Sequence, residues 1–209
     1  MGHSQNNESQ IISDYFLNKE LLCKKLYLLD VGANNGQTLS NSLDCIERGW
    51  NATLVEPSVK AFKAMTKLHA NRLGVEMFNV AITDKDGTAD FHESEGHAEH
   101  IFGENHSLLS SLKEDATKKW SEKFTKTTCE TVTFETLLSK CKHKKFDLIS
   151  IDCEGFDYEV LTQIDLTKVG CKMLIVENNG EDENKFVEYC AKFEMQLHAK
   201  TPENLIFTR

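Results

Sequence analysis

Apolar positions along this chain fall into short runs separated by longer amphipathic stretches. Leu26 to Val31 is the first run and reads as a buried strand. A turn with Gly32 and Gly36 follows, and then a helix is expected from Gln37 to about Arg48, with Leu39, Leu43 and Ile46 on one face. Ala52 to Val55 reads as a second strand that stops at Glu56-Pro57. Ser58 can cap the next helix, which carries Phe62, Met65 and Leu68. A third strand is expected over Val75 to Ile82. Asp86-Gly87 then signals a turn, and Ala89 and Phe91 belong to an added strand or hairpin.

The second half repeats the alternation. Thr131 to Phe134 reads as a short strand before a helix with Leu137, Leu138 and Cys141. Phe146 to Ile151 is strongly apolar and ends in Asp152. Asp157 can cap a helix bearing Val160, Leu161 and Ile164. Met173 to Val176 is another buried strand, ending at Glu177, and Phe186, Cys190 and Phe193 mark a last helix. Met195 to Ala199 and Asn204 to Phe207 read as closing strands around Pro202. Strands alternating with helices predict an α/β fold with a mainly parallel sheet covered on both faces. No internal repeat is visible, and the length predicts a single domain over 1–209. Residues 94–127 are irregular and too long for an ordinary connection, so they read as a substrate-side insert or lid.

Composition narrows the function classes. Charged residues make up 27% and apolar ones 40%, an ordinary globular balance, and the net charge is −9. No basic block exceeds short pairs, so no nucleic-acid partner is expected. Cys23, Cys45, Cys129, Cys141, Cys153, Cys171 and Cys190 have no C-x-x-C spacing and read as reduced thiols. No N-terminal run resembles a signal peptide and no stretch approaches a membrane span. The expectation is a soluble cytoplasmic protein without a membrane partner.

The candidate chemistry lies at the ends of the strands, where ligands bind in such sheets. Asp30, Glu56, Asp152 and Glu177 all stand there. An edge lined with carboxylates hosts a pyrophosphate poorly. The Gly32–Gly36 spacing also lacks the paired close glycines of the dinucleotide pattern, and no phosphate-binding G-x-x-x-x-G-K-[ST] loop occurs. S-adenosylmethionine fits better, since it carries an ammonium, a sulfonium and a ribose diol but no phosphate. Glu56, twenty residues beyond Gly36, can accept hydrogen bonds from both ribose hydroxyls.

At this point a family resemblance emerges. Asp30-Val31-Gly32-Ala33-Asn34-Asn35-Gly36, Val55-Glu56-Pro57, Val80-Ala81-Ile82, Ser110-Ser111-Leu112 and Ile151-Asp152-Cys153-Glu154-Gly155 together resemble the FkbM family of methyltransferases. Ser40-Asn41, Gly49-Trp50-Asn51 and Asn204-Leu205-Ile206-Phe207 extend the likeness over nearly the whole chain. Ser4-Gln5 with Glu8 resembles the family's leading pair, with Ser9 in place of an aspartate. Asn34-Asn35 departs from the commoner Asn-Asp or Asn-Gly. The resemblance implies a class I methyltransferase fold: a Rossmann-like three-layer sandwich, mainly parallel and seven-stranded, with an antiparallel C-terminal strand. It also implies that Asp30, Gly32, Asn34 and Gly36 surround the methionine part of the cofactor. Glu56 would hold the ribose, Ala81 would line the adenine site, and Asp152 would sit near the transferred methyl group. Ala33, Pro57 and Ser111 count among the cofactor contacts as well.

For methyl transfer to oxygen, the enzyme must align the nucleophile and manage its proton. Asp152 and Glu154 are the catalytic candidates: an i, i+2 pair in an extended segment points to one side. One can take the proton while the other orients the acceptor, or both can hold a metal. The plainer alternative is that Asp152 holds the cofactor amine and Glu154 caps the helix near Gly155. His92, His97, His100 and His106 lie among acids and can offer metal ligands, but a solvated mobile loop over the acceptor is the preferred reading, and no metal is assigned. Glu177-Asn178-Asn179 either contacts the acceptor or forms a polar turn. Trp50 reads as packing, while Trp120 can stack on a sugar ring. Lys118, Lys119, Lys123 and Lys126 read as a solvated face rather than an RNA channel. The expected activity is S-adenosylmethionine-dependent O-methylation of a sugar, glycan or other small molecule. The alternatives are methylation of RNA ribose or a protein side chain, or an idle cofactor-binding module.

Overall fold

A computed structural model describes residues 2–21, 25–94, 110–112, 124–178 and 180–209. The chain opens with helix α1 (Glu8–Leu21) and strand β1 (Tyr27–Val31). Next come α2 (Leu43–Glu47), β2 (Asn51–Val55), α3 (Val59–His69) and β3 (Val75–Phe78). Strands β4 (Ala81–Ile82), β5 (Gly87–Ser94) and β6 (Phe124–Val132) lead into α4 (Phe134–Lys140). The C-terminal part holds β7 (Leu148–Ile151), α5 (Asp157–Leu161), β8 (Met173–Glu177), α6 (Glu183–Ala191), β9 (Gln196–Lys200) and β10 (Asn204–Thr208).

Seven strands form one sheet in the order β3-β2-β1-β7-β8-β10-β9. Pairing is parallel from β3 through β8, and β10 runs antiparallel to both β8 and β9. Successive strand residues face opposite sides, so each buried strand serves two cores. Leu29, Ile149 and Leu174 pack with Leu137, Val160 and Phe186 on one face. Leu28, Leu148 and Ile175 pack with Ile12, Phe16, Trp50 and Met65 on the other. Helix α1 has no counterpart among the expected elements. It buries Ile12 and Phe16 completely, and the Phe16 ring meets Trp50 edge-on at 4.9 Å.

Three expected elements change form. The helix expected from Gln37 contracts to α2, because Asn34, Gly36 and Leu39 adopt positive φ and the chain winds through turns first. Asn35 Oδ1 accepts from the amides of Gln37 and Thr38, and Ser40 Oγ accepts from Leu43 N. The strand expected over Val75 to Ile82 breaks at Asn79, whose side-chain amide donates to the carbonyls of Glu56 and Pro57 at 2.8 and 3.0 Å. Beyond that break β4 leaves the large sheet and joins a second one, ordered β4-β6-β5. The short strand expected at Thr131 to Phe134 is the end of the longer β6, paired antiparallel with β5. Phe134 instead opens α4 behind the Thr133 cap.

Part of the irregular 94–127 stretch is therefore ordinary sheet: residues 124–127 belong to β6, and Ser111 bridges to His92. His97, His100, His106, Trp120, Lys118, Lys119 and Lys123 lie outside the described residues, as do Cys23 and Asn179. Lys126 is described and pairs with Asp90 at 2.7 Å. Cys45, Cys129, Cys141, Cys153, Cys171 and Cys190 carry free thiols. Among the described residues no helix is long and apolar enough to cross a membrane.

Candidate active site

Strand register sets the site. Val31 pairs with both Val55 and Ile151, and Ile151 pairs with Val176. The carboxyl ends of β1, β2, β7 and β8 are therefore level, and the residues that end or follow them reach one edge of the sheet. A cavity of about 800 Å³ opens there. It is lined by Asp30, Gly32, Ala33, Asn34, Glu56, Pro57, Ala81, Ser111, Asp152 and Glu154, so the fold brings together ten of the sequence-predicted site residues. Gly36 does not line it.

Each glycine has its own reason. At Gly32 φ is +84, and an added Cβ would lie 1.6 Å from the backbone oxygen of Asp152. The exits of β1 and β7 thus touch backbone to backbone, sealed by Asp152 N donating to Val31 O at 2.9 Å. Gly36, at φ +72, instead packs the turn onto α3, where a Cβ would sit 2.8 Å from His69 Nε2.

Glu56 is the best-held acid. It is 5% exposed, and its two carboxylate oxygens accept from Asn34 N at 2.8 Å and Ser58 N at 2.7 Å. Burial pushes its pKa up to about 7, against the pull of those amides and with help from the charges of Asp152 and Asp30. Burial likewise raises Asp30 to about 6, although the hydroxyls of Ser42 and Ser150 oppose it. Asp30 lies inside β1, one residue before the strand ends.

Asp152 directly follows the central strand β7, and burial raises it to about 6. Its carboxyl is hydrogen-bonded to that of Glu177. Burial, and then the charges of Asp152, Glu154 and Asp157, push Glu177 well above the usual carboxylate range. Glu154 is raised by burial and by Asp152 and Asp157. The extended geometry expected for Asp152 to Glu154 is not what forms. Glu154 has φ +50, and its carbonyl accepts from Ser111 Oγ at 2.8 Å. Both side chains still line the cavity, brought there by the turn rather than by strand alternation. The alternative of Glu154 as the helix cap also gives way: Asp157, the first residue of α5, reaches back to the amides of Cys153 at 2.7 Å and Gly155 at 3.0 Å.

Of the wall opposite β1 and β2, the sequence offered Asn178 as an acceptor contact or polar turn and Gln5 only through the family likeness, and it missed Glu203. Gln5, Pro202 and Glu203 line the cavity there together with Asn178. Glu8 secures this wall. It is fully buried and accepts from Thr201 Oγ1 at 2.7 Å, Asn204 Nδ2 at 3.0 Å and Asn6 N at 2.9 Å. Against the upward push of burial, these hydrogen bonds bring its pKa below the usual value. Glu8 and Thr201 are 193 positions apart, so no local pattern points from one to the other.

The cavity suits a cation. Among the described residues lining it there are six carboxyls (Asp30, Glu56, Asp152, Glu154, Glu177 and Glu203) and no Lys, Arg or His. Desolvated carboxyls without cationic partners favour a ligand that brings positive charge and hydroxyl donors. The ammonium, sulfonium and ribose of S-adenosylmethionine meet both requirements.

The family model described as the methyltransferase FkbM domain matches residues 30–201. The chain belongs to the FkbM methyltransferase family. Its cofactor is S-adenosylmethionine. No curated protein sequence is significantly similar to it. Among solved structures, monomeric WbdD shares the fold at a TM-score of 0.53 and 12% identity, with 99% of this chain and 42% of that chain covered. The putative methyltransferase yhhF from Escherichia coli gives 0.50 and 13%, covering 100% and 88%. The FkbM chain therefore spans less than half the length of WbdD, and at such identities both likenesses concern the fold alone.

Proposed function

We propose that this FkbM methyltransferase moves the methyl group of S-adenosylmethionine to a hydroxyl oxygen of a sugar, glycan or other small molecule. The supporting observation is Asp152, a half-buried carboxyl at the end of the central strand whose partner is another acid, Glu177. The cofactor supplies an electrophilic methyl group, and this chain's residues must hold both reactants and take a proton from the hydroxyl. Asp152, raised to about 6 by burial, is ionised at neutral pH yet more basic than an exposed aspartate, as a general base requires. Glu154 orients the acceptor. Asp30, Gly32, Ala33 and Asn34 form the cradle for the methionine part, and Gly36 fixes the turn that carries them. Glu56, beside Pro57, takes the ribose, and Ala81 and Ser111 border the adenine. The Glu56 oxygens are already aimed by two backbone amides, which leaves their remaining lone pairs for the ribose hydroxyls.

Calorimetry with S-adenosylmethionine, followed by an assay for S-adenosylhomocysteine release over a panel of hydroxyl acceptors, tests the reading. Binding and acceptor-dependent release are expected, with mass spectrometry placing the methyl group on oxygen. Asp152→Asn is expected to lower turnover by about 10² to 10⁴-fold. Failure of the intact protein to bind S-adenosylmethionine overturns the cofactor roles. A fully active Asp152→Asn variant overturns the base.

A further inference from the structure

Ser111 lines the cavity, and its polar groups are committed within the protein. Its amide donates to His92 O at 3.1 Å, its carbonyl accepts from His92 N at 2.9 Å, and its hydroxyl donates to Glu154 O at 2.8 Å. It is 1% exposed. The backbone bonds fasten it to β5, which pairs with β6 from Gly87 to Ser94. Strand β5 is tied to the Glu56 corner as well: the Glu93 carboxyl accepts from Ser58 Oγ, and Ser58 N donates to Glu56. Ser111 thus offers its hydroxyl from a fixed base.

That hydroxyl reaches a strained place. Glu154 has φ +50 and Gly155 φ +91. Glycine takes such a φ freely, whereas a residue with a side chain is disfavoured there. Glutamate holds it only where its surroundings dictate the turn, and strain of this kind clusters where it positions a working group. Here the turn is dictated by a clamp on one peptide unit, to which the Glu154 carbonyl and the Gly155 amide both belong. Ser111 Oγ holds the carbonyl, and Asp157 Oδ2 accepts from the amide at 3.0 Å. Without the Ser111 hydroxyl the unit loses its hold on the carbonyl. Glu154 can then leave the left-handed region, and its side chain swings with φ, away from the direction in which it lines the cavity.

We propose that Ser111 is a positioning residue for the methyl acceptor: it clamps the Glu154–Gly155 peptide and so aims the Glu154 side chain into the cavity. The inference rests on the reading of Glu154 as the group that orients the acceptor.

Two measurements on the whole chain test it. Residue-resolved amide exchange needs no acceptor. Ser111→Ala is expected to exchange the Gly155 amide about three- to tenfold faster than the parent, as loss of one hydrogen bond gives, with β1 unchanged. The second measurement is kcat/KM from S-adenosylhomocysteine release, with methyl glucoside, methyl galactoside or methyl mannoside as acceptor, whichever the parent turns over fastest. Ser111→Ala is expected to lower it about tenfold or more through misplacement of the acceptor. In a Glu154→Gln background the same change should lower it less than about twofold, while its effect on the melting temperature is the same in both backgrounds. Equal kcat/KM losses in both backgrounds are what a purely structural serine gives, and they overturn the inference. So does an unchanged Gly155 exchange rate, or a loss confined to the KM for S-adenosylmethionine. Ser111→Cys keeps a weak donor and carries the same comparisons if the alanine variant does not fold. The two readings fail separately. Full activity of Glu154→Gln refutes the acceptor role of Glu154, and absence of turnover with all three sugars refutes a sugar acceptor; in either case the Gly155 exchange rate decides the clamp.

Discussion

Raising the pH from 5 to 8 destabilises the cofactor-free protein, and Glu56 accounts for a separable part of the loss. Its pKa moves from the ordinary 4.5 to about 7 on folding, chiefly through burial. Between those values the folded chain holds a proton that the unfolded chain has released. Stability therefore falls as pH rises through that window, and the loss is complete above it. At about 1.4 kcal/mol for each pH interval of one, Glu56 alone lowers stability by about 3 kcal/mol. Asp30 and Asp152, raised from 3.8 to about 6, and Asp157, raised to about 7, act in the same direction. Glu8 acts oppositely: its lowered pKa gives stability that is present above its usual value and lost as pH falls through the folded one. The stability maximum of the free protein thus lies in mildly acidic solution.

Glu56→Gln isolates the contribution. The variant cannot ionise, but one oxygen becomes an amide nitrogen facing Asn34 N or Ser58 N, so one hydrogen bond is lost at every pH. That loss costs about 1–3 kcal/mol. The variant should be less stable than the parent at pH 5 and nearly level with it at pH 8. Urea denaturation of both proteins at four pH values measures the difference directly. In thermal melts about 3 kcal/mol corresponds to roughly 6–12 °C for a chain of this size. If the gap between parent and variant stays constant from pH 5 to 8, Glu56 does not titrate as described and the reasoning fails.

Gly32→Ala should prevent folding or lower stability by more than about 4 kcal/mol, because the new Cβ meets the Asp152 carbonyl at 1.6 Å with backbone on both sides. Gly49→Ala, at φ +91 with open space around it, should cost only about 1–2 kcal/mol, and paired melts of the two variants separate clash from φ strain. Glu8→Ala should cost about 3 kcal/mol by stranding the donors of Thr201, Asn204 and Asn6, with faster amide exchange in α1 than in β1. Equal exchange protection of α1 in variant and parent would refute the clasp.

Elements whose periodicity comes from packing on the large sheet were legible in the sequence; those shaped by hydrogen bonds of their loops were not. Leu28 to Val31, Leu148 to Ile151 and Met173 to Val176 announce themselves because both faces are buried. The residues before α2 have helical apolar spacing, yet Asn34 and Leu39 turn left-handed and Asn35 and Ser40 satisfy the backbone locally. Strand β6 reads Phe-Thr-Lys-Thr-Thr-Cys-Glu-Thr-Val, and most of its first half faces solvent, so hydrophobic pattern alone marks only its end. Helix α1 is polar over much of its length, and the apolar side chains fully buried among its described residues are Ile12 and Phe16, too sparse a signal to set its ends.

The site divides along the same line. The side proposed for the cofactor was readable because parallel register forces the residues after β1, β2 and β7 to one edge, so a strand-terminal acid already has a known place. The other side is assembled by contacts between chain ends. Glu203 and Gln5 face the cavity only because Glu8 and Asn6 hold residues some two hundred positions away. The same contrast explains why Gly32 and Gly36, identical in sequence signal, differ in role: the first admits the backbone of Asp152 at the cavity floor, and the second makes room for His69 behind it. A glycine pattern thus encodes close approach without saying what approaches.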